Sequence, residues 1–127
     1  MGTRSKEKVF STGPLENQNN PDTLTQVAWV KILNNDENDA TNVHIKVFSL
    51  NGAKVLVGEA RFAVPPVSSM FRTFNVGNTV EYEVQIQLQE EKDDVLISVF
   101  GKSANNNLVA AHRALHSELN KIDRLTN

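Results

Sequence analysis

Two histidines four residues apart, His112 and His116, are the residues of this chain best spaced for metal chemistry. On a helix that spacing would bring both imidazoles to one face, within reach of a single zinc ion. The residues between them are Arg, Ala and Leu, so the general-base glutamate of the His-Glu-x-x-His motif is absent. On a strand the pair would lie about 13 Å apart, too far to share an ion. We favour the strand and predict two half-exposed histidines with no bound metal.

Other residue types that could support chemistry lack the spacing that this chemistry needs. The segment from Asp36 to Asp39 offers oxygen ligands for calcium, but it departs from the Asp-x-Asn-x-Asp-Gly pattern and lacks the closing glutamate. Nucleophilic catalysis needs a Ser, Thr or Cys activated by a positioned base. The sequence contains no Gly-x-Ser-x-Gly elbow, and Ser68-Ser69 after a double proline is typical of a strand entry. We therefore predict a protein without catalytic residues or cofactors.

Carbohydrate binding is a common function of β-sandwich domains, and it usually relies on exposed Trp or Tyr rings on which sugars stack. This chain has one of each, Trp29 and Tyr82. Tyr82 occupies an inward-facing position of the strand predicted in 79–89. Trp29 lies in the segment 23–33, which is apolar on both faces. We interpret both as core residues, which leaves a carbohydrate- or protein-binding module as the alternative function.

The composition describes one globular domain. The 127 residues include 39% hydrophobic and 22% charged residues, and the net charge is −2. A chain of this length can bury a core without metals or disulfides, and it contains no cysteine. Nucleic acids and anionic membranes need clustered Lys and Arg, so we predict neither as a partner.

The N-terminal residues show no targeting segment. They lack the apolar stretch of a secretory signal, and Lys6 stands where the myristoylation motif of Gly2 requires Ser or Thr. No apolar run approaches the ~20 residues that cross a bilayer. We expect synthesis in the cytoplasm, with a cell or spore surface reached only by lysis or a dedicated route.

Apolar residues alternate with polar ones through most of the chain, which predicts strands. The alternation is clearest from Thr79 to Gln89, where Tyr82, Val84 and Ile86 share the inward face. Turn residues separate these runs. Asn51-Gly52 predicts a hairpin with a type I′ turn, and Pro65-Pro66 cannot lie inside a sheet. Further strands are predicted in the ranges 23–33, 41–50, 53–64, 69–74 and 95–101, and a charged hairpin tip in 90–94.

The segment 108–125 fits both a helix and a strand. Its leucines follow helical spacing, but the Asn105–Asn107 turn directly after a strand favours a hairpin partner for Val95–Gly101. Seven or eight short strands joined by turn residues are typical of two stacked sheets. We predict an all-β fold, a two-sheet antiparallel β-sandwich of the jelly-roll or immunoglobulin-like kind, with an extended N-terminal arm.

Residues 1–22 are polar and interrupted by Gly13, Pro14 and Pro21, so we predict an N-terminal arm ahead of a sandwich domain spanning 23–127. Within the arm only Lys8–Ser11 could form a strand, and Val9 and Phe10 are its apolar anchor. An extended arm can complete an open sheet edge of a neighbouring subunit. This layout predicts a non-enzymatic structural protein that assembles into homo-oligomers or filaments, with Val9 and Phe10 at the subunit interface.

Three features resemble the small sandwich subunits of Bacillus endospore appendage fibres. They are the polar N-terminal arm, the strand end Val30–Asn35 and the segment Phe62–Ser69, which leads through a double proline into a strand. The resemblance implies donor-strand exchange between subunits and a location on the spore surface. Appendage subunits link their arms through cysteines, and this chain has none, so the resemblance implies non-covalent contacts here.

Overall fold

The computed structural model of the protein describes residues 7–18, 24–89 and 94–127. Ten strand segments and one 3₁₀ helix lie in these ranges. They are β1 (Lys8–Ser11), β2 (Leu15–Glu16), β3 (Val27–Asn34), β4 (Thr41–Asn51), β5 (Ala53–Val64), β6 (Ser68–Asn75), β7 (Glu81–Leu88), β8 (Val95–Lys102), β9 (Leu108–Leu115), the 3₁₀ helix His116–Glu118, and β10 (Asn120–Ile122). The hairpin tip predicted at 90–94 lies outside the described residues except for Asp94.

The strands form two antiparallel sheets. The six-stranded sheet has the order β10-β1-β7-β4-β5, with β2 paired to β7 beyond the end of β1. The four-stranded sheet has the order β6-β3-β8-β9. Every strand pair is antiparallel. The predicted all-β, two-sheet antiparallel sandwich is confirmed.

The core lies between the facing surfaces of the two sheets. Alternation along β7 buries Tyr82, Val84, Ile86 and Leu88, as the sequence pattern predicts. The central strand β3 of the other sheet contributes the inward residues Ala28, Val30 and Ile32, all fully buried. Each sheet therefore supplies a continuous apolar face, and burial of these two faces is the main force that holds the layers together.

The β4–β5 hairpin turns where the sequence predicts it, but with a different turn. Asn51 is the last residue of β4 and pairs with Ala53, so Gly52 alone spans the reversal with a positive φ of 79°. A type I′ turn needs positive φ at both central residues, so the predicted turn type is wrong. Farther along the hairpin, the register shifts by one residue after Val47, which leaves Val57 as the extra residue of a bulge.

The structure corrects the placement of the N-terminal arm. Residues Lys8–Ser11 form the predicted strand, but this strand lies inside the six-stranded sheet of its own chain, between β7 and β10. Val9 and Phe10 are each only 3% exposed, and Phe10 belongs to the core cluster. The predicted boundary at residue 22 therefore divides β1 and β2 from the sheet that contains them.

The C-terminal segment is a strand over most of its length. Its first part, β9, pairs with β8 as the favoured interpretation of 108–125 predicts. The chain then turns through the 3₁₀ helix and returns as β10 on the free side of β1. Across the described ranges, no helix is long and apolar enough to span a membrane.

Two buried asparagines fix the loops at the ends of the sandwich. Asn17 donates to the carbonyl oxygens of Thr25 and Val76, and its own oxygen accepts from the Thr25 amide. Asn34 donates to the carbonyl oxygens of Asp39 and Val64. Buried main-chain carbonyls need such donors because unpaired polar groups cost free energy. These side chains therefore tie together loops that are distant in sequence.

We expect Phe10→Ala to lower the free energy of unfolding by about 3–5 kcal/mol, because it opens a cavity in the core. Urea unfolding followed by circular dichroism measures the change. The control is Leu108→Ala, which truncates a side chain that is 63% exposed and should cost well under 1 kcal/mol. Equal, small effects of both substitutions would contradict the burial of Phe10 in its own chain.

Candidate functional site

The outward face of the four-stranded sheet is mostly apolar. Successive residues of a strand point to opposite faces, so the residues that alternate with the buried positions of β3 point away from the core. The strand register aligns them in rows with the outward residues of β6, β8 and β9. The apolar outward residues, which we call the apolar face, are Val27, Trp29, Leu33, Phe71, Leu96, Phe100, Leu108 and Leu115.

Three aromatic rings cross the middle of the apolar face. Trp29 on the central strand stacks against Phe71 with ring centroids 4.9 Å apart, and against Phe100 at 5.8 Å. The Nζ atoms of Lys102 and Lys31 lie 4.5 Å and 5.7 Å from the centroids of Trp29 and Phe100. Stacked rings with ammonium groups above them form favourable cation–π contacts. The aromatic row is therefore held rigidly on three neighbouring strands.

A shallow groove runs beside the aromatic row. Its volume is about 630 Å³, and Leu33, Leu96 and Leu115 line it together with Lys31 and His116. The three leucines are between 39% and 46% exposed, and Phe71 is 48% exposed. Single exposed leucines are common on protein surfaces, whereas large contiguous groups of exposed apolar side chains are rare on monomeric proteins.

The apolar face also carries an excess of positive charge. Lys31 and Lys102 project from it, and Arg113 follows the buried His112 and so points outward from β9. The four strands of this sheet contain no Asp or Glu. Because the whole chain has a net charge of −2, the remaining surface carries the excess of negative charge.

The outward face of the six-stranded sheet is different, because it is polar and partly covered by the C-terminal residues. Gln85 is 1% exposed, and its amide group pairs with the Thr126 main-chain amide and side-chain hydroxyl. Lys46 donates to the Thr126 carbonyl at 2.8 Å. These outward polar residues are therefore satisfied within the chain, and on the described strands of this sheet the exposed large apolar side chains of the outward face are confined to the β5 margin.

Glu83 is the most buried carboxylate of that polar face. Burial raises the pKa of its carboxyl group, but hydrogen bonds from Lys54, Ser11 and Gln85 lower it more strongly, so the net pKa lies below the ordinary value. The Lys54 Nζ lies 2.6 Å from one carboxylate oxygen. Glu83 is thus a paired structural anion, and its lowered pKa makes it unsuited to act as a general acid or base near neutral pH.

The two histidines that were considered as a metal pair have structural roles. His112 is buried, which corrects its predicted half-exposure, and it bridges the two layers of the sandwich. Its Nε2 donates to the Glu16 carbonyl at 2.6 Å, since a carbonyl oxygen can only accept. Its Nδ1, the one acceptor of the neutral ring, lies 2.6 Å from the Thr25 hydroxyl and 3.0 Å from the Tyr82 hydroxyl. His116 is half-buried, and its Nδ1 accepts the Ile97 amide.

Burial sets the protonation of this network. Desolvation lowers the pKa of His112, and the hydrogen bond to Glu16 opposes this shift only in part. Burial also lowers the pKa of His116, helped by the nearby charges of Lys8 and Lys121. Tyr82 has a pKa raised to about 12 by burial, so its hydroxyl keeps its proton and can donate to His112. The lowered pKa values favour the neutral form of both histidines.

Among the described residues, no group of three or more His, Asp or Glu side chains is placed to hold a metal ion. In the segment Asp36–Asp39, which was considered as a calcium site, the Asp36 carboxylate accepts the main-chain amides of Asn38 and Asp39. That side chain therefore shapes its own turn, as Asp commonly does.

The two candidate sugar-binding rings take different positions. Tyr82 is fully buried, as predicted. The prediction that Trp29 lies in the core is wrong, because it is half-buried on the outward face of β3. Its ring is nevertheless covered by Phe71, Phe100 and Lys102, which leaves little free ring surface on which a sugar could stack.

Sequence reasoning missed the apolar face. Two signals of it were present: the run 23–33 is apolar on both of its faces, and none of the four strands of this sheet contains a carboxylate. Phe71 and Leu96 gave no separate signal, because a strand pattern alone does not tell which of two apolar faces is buried.

The known proteins that are similar to this chain are distant from it. No family model matches the sequence, and no curated protein matches it. Among solved structures, the Anabaena sensory rhodopsin transducer has 14% identity and a TM-score of 0.48, covering 77% of this chain and 91% of that one. The crystal structure of Thermotoga maritima 1070 has 12% identity and a TM-score of 0.43, covering 95% of this chain and 93% of that one. Likenesses this distant carry no argument about function.

The histidines predict that acid destabilises the fold. Their pKa values are lowered on folding, so the unfolded chain binds protons first. Their contribution to stability is complete above the unfolded pKa of about 6.5 and is lost as the pH falls through the lower folded values. We expect the free energy of unfolding to fall between pH 7 and pH 5, and less steeply in His112→Gln. Urea titrations at a series of pH values measure both slopes, and identical slopes would contradict this assignment.

Proposed function

We propose that this protein is a non-enzymatic structural subunit that associates with copies of itself, and that the apolar face is buried in the contact. The observation that carries the proposal is the row Phe71–Trp29–Phe100 with its flanking leucines, which stands on the outer side of a sheet whose inner side already forms the core. A sheet that is apolar on both sides is typical of one that is covered on both sides.

The dimensions of the face suit a contact between proteins. Four strands at ~4.8 Å spacing and eight residues at ~3.3 Å give a planar area of roughly 500 Å². The low end of stable interfaces needs about 600 Å² per partner, which the relief of the side chains and a surrounding rim can supply. Aromatic residues at the centre of such a surface are the usual energetic anchors.

The charge distribution favours a head-to-tail contact. Two apolar faces in direct opposition would bring Lys31, Lys102 and Arg113 of both copies together, and like charges oppose association. Contact with the acidic remainder of a neighbouring copy avoids this repulsion. A head-to-tail contact builds a ring when the rotation between neighbours closes, and otherwise extends into filaments. We therefore propose that the protein forms homo-oligomers or filaments through head-to-tail contacts, rather than face-to-face dimers.

Donor-strand exchange through the N-terminal arm, and the spore-surface location implied by the resemblance, stay predictions. Exchange would require Val9 and Phe10 to leave the core and β1 to give up its pairing with both β7 and β10. A folded chain in which these contacts are satisfied gains little free energy from making the same contacts in a neighbour. The apolar face needs no such rearrangement, and for this reason we favour it as the contact.

A protein-binding module is the second candidate, and the positive charge of the apolar face is the observation that favours it. A different protein with an acidic, apolar surface would complement Lys31, Lys102 and the aromatic row equally well. The two candidates separate in purified material, because only self-association makes the size of the protein depend on its own concentration.

We expect the double substitution Phe71→Ser and Leu96→Ser to weaken self-association by at least about 100-fold, from roughly tenfold per lost apolar anchor. Sedimentation velocity over a wide range of protein concentration measures the size distribution. Association of the wild type should also weaken as salt is raised, because the attraction between opposite charges is screened.

The control for this substitution is Val67→Ser, which removes a side chain that is 68% exposed but lies in the β5–β6 turn, outside the strands of the face. It should associate as the wild type does. A wild type that stays monomeric at all concentrations would refute self-association. Association that is unchanged by the double substitution would refute the apolar face as its site.

A further inference from the structure

A small polar groove lies on the outward face of the six-stranded sheet, on the side of the sandwich opposite the apolar face. Its volume is about 300 Å³, and the polar residues that line it are Glu7, Asn42, His44, Arg61, Gln87 and Gln89. Ligand pockets in proteins range from about 300 to 1,000 Å³. This groove therefore has the size for a small ligand, such as a single ring.

Three neighbouring strands hold the side chains of the groove in place. Arg61 on β5, His44 on β4 and Gln87 on β7 are direct partners in the strand register. One row farther along the sheet, the Asn42 carbonyl accepts the Gln89 main-chain amide at 3.0 Å. Groups built on strands are positioned more precisely than groups on loops. The groove is therefore formed before a ligand enters it.

The ionisable groups around the groove contact one another. The His44 Nε2 donates to the Glu59 carboxylate, since a carboxylate can only accept, and this hydrogen bond lowers the pKa of Glu59 below its ordinary value. The Arg61 Nη2 lies 3.8 Å from the same carboxylate. The Glu7 carboxylate accepts from the Gln87 side-chain amide at 2.8 Å. Groups of both signs thus lie together, which suits a neutral polar ligand better than a free ion.

Side-chain amides with unused hydrogen-bonding groups indicate the class of ligand. Asn42 and Gln89 are exposed, and within the described ranges their side-chain amides have no hydrogen-bond partner. Gln87 uses only its Nε2 group, which leaves its oxygen as an acceptor. An amide combines two N–H donors with an oxygen acceptor. Two neighbouring hydroxyl groups match this pattern, because each hydroxyl can both donate and accept.

We propose that this groove binds one neutral sugar ring through hydrogen bonds to Asn42, Gln87 and Gln89. The site differs from an aromatic sugar platform, since none of the described residues that line it is aromatic. Hydrogen bonds to a ligand replace hydrogen bonds to water and add little net free energy. We therefore expect a dissociation constant on the order of 1–10 mM. The proposal goes beyond self-association, because it concerns the other sheet and another kind of partner.

Saturation-transfer-difference NMR on the full chain tests this proposal, because it detects weak ligands on oligomers and monomers alike. The probes are the methyl glycosides of glucose, galactose and mannose, together with N-acetylglucosamine. Each is titrated to well above the expected dissociation constant. We expect saturable transfer to the ring protons of at least one of these sugars.

The double substitution Asn42→Ala and Gln87→Ala should weaken the binding of that sugar by at least about tenfold, from roughly fivefold per lost amide. The matched control is Asn105→Ala, which removes an exposed amide from the β8–β9 turn and should bind as the wild type does. Circular dichroism checks the fold of each variant. Should the double variant not fold, the single substitution Asn42→Ala at its exposed position carries the test, with an expected loss of roughly fivefold.

Absence of saturable transfer to all four sugars would overturn the sugar site. Binding that is unchanged by the substitutions at Asn42 and Gln87 would overturn this groove as its location. Neither result affects the proposed self-association, because the residues of the apolar face are left intact. Conversely, a wild type that is monomeric at every concentration would refute self-association and leave the sugar site standing.

Discussion

The separation of buried and outward residues along β3 is the constraint on which the rest of this structure depends. Its inward residues Ala28, Val30 and Ile32 are fully buried between the layers, and hydrophobic burial there holds the two sheets together. Its outward residues Trp29 and Leu33 lie on the opposite side of the same sheet. The strand that organises the core thus also organises the apolar face, because one backbone fixes both sets of side chains.

The two sheets differ in the residues that lie on their outer faces. The six-stranded sheet satisfies outward polar residues within the chain, through the C-terminal residues and the Lys54–Glu83 pair. The four-stranded sheet presents aromatic rings and leucines with lysines among them. The hydrogen bonds and the ion pair on the six-stranded sheet stabilise the domain, whereas the four-stranded sheet leaves apolar side chains in contact with water. This asymmetry is the physical reason why we propose the outer surface of the four-stranded sheet as the contact surface.

The buried His112 shows how polar groups connect the layers. It lies on β9 of the four-stranded sheet, yet it bonds to the Glu16 carbonyl and the Tyr82 hydroxyl of the other sheet. A neutral imidazole can both donate and accept, which is what this position between a carbonyl and two hydroxyls requires. The spacing of His112 and His116 in sequence suggested metal chemistry, but each side chain is used separately in the fold.

The sequence by itself determined the all-β class, the positions of most strands and the inward residues of β7, because alternation with period two leaves few other ways to bury apolar side chains. It also indicated that Lys8–Ser11 is a strand. Only the tertiary structure decided that this strand lies in its own sheet, because the pairing of β1 with β7 joins residues more than seventy positions apart. The apolar face depends in the same way on packing: Trp29 and Val30 are neighbours with similar hydrophobicity, and the second sheet decides which of them it covers.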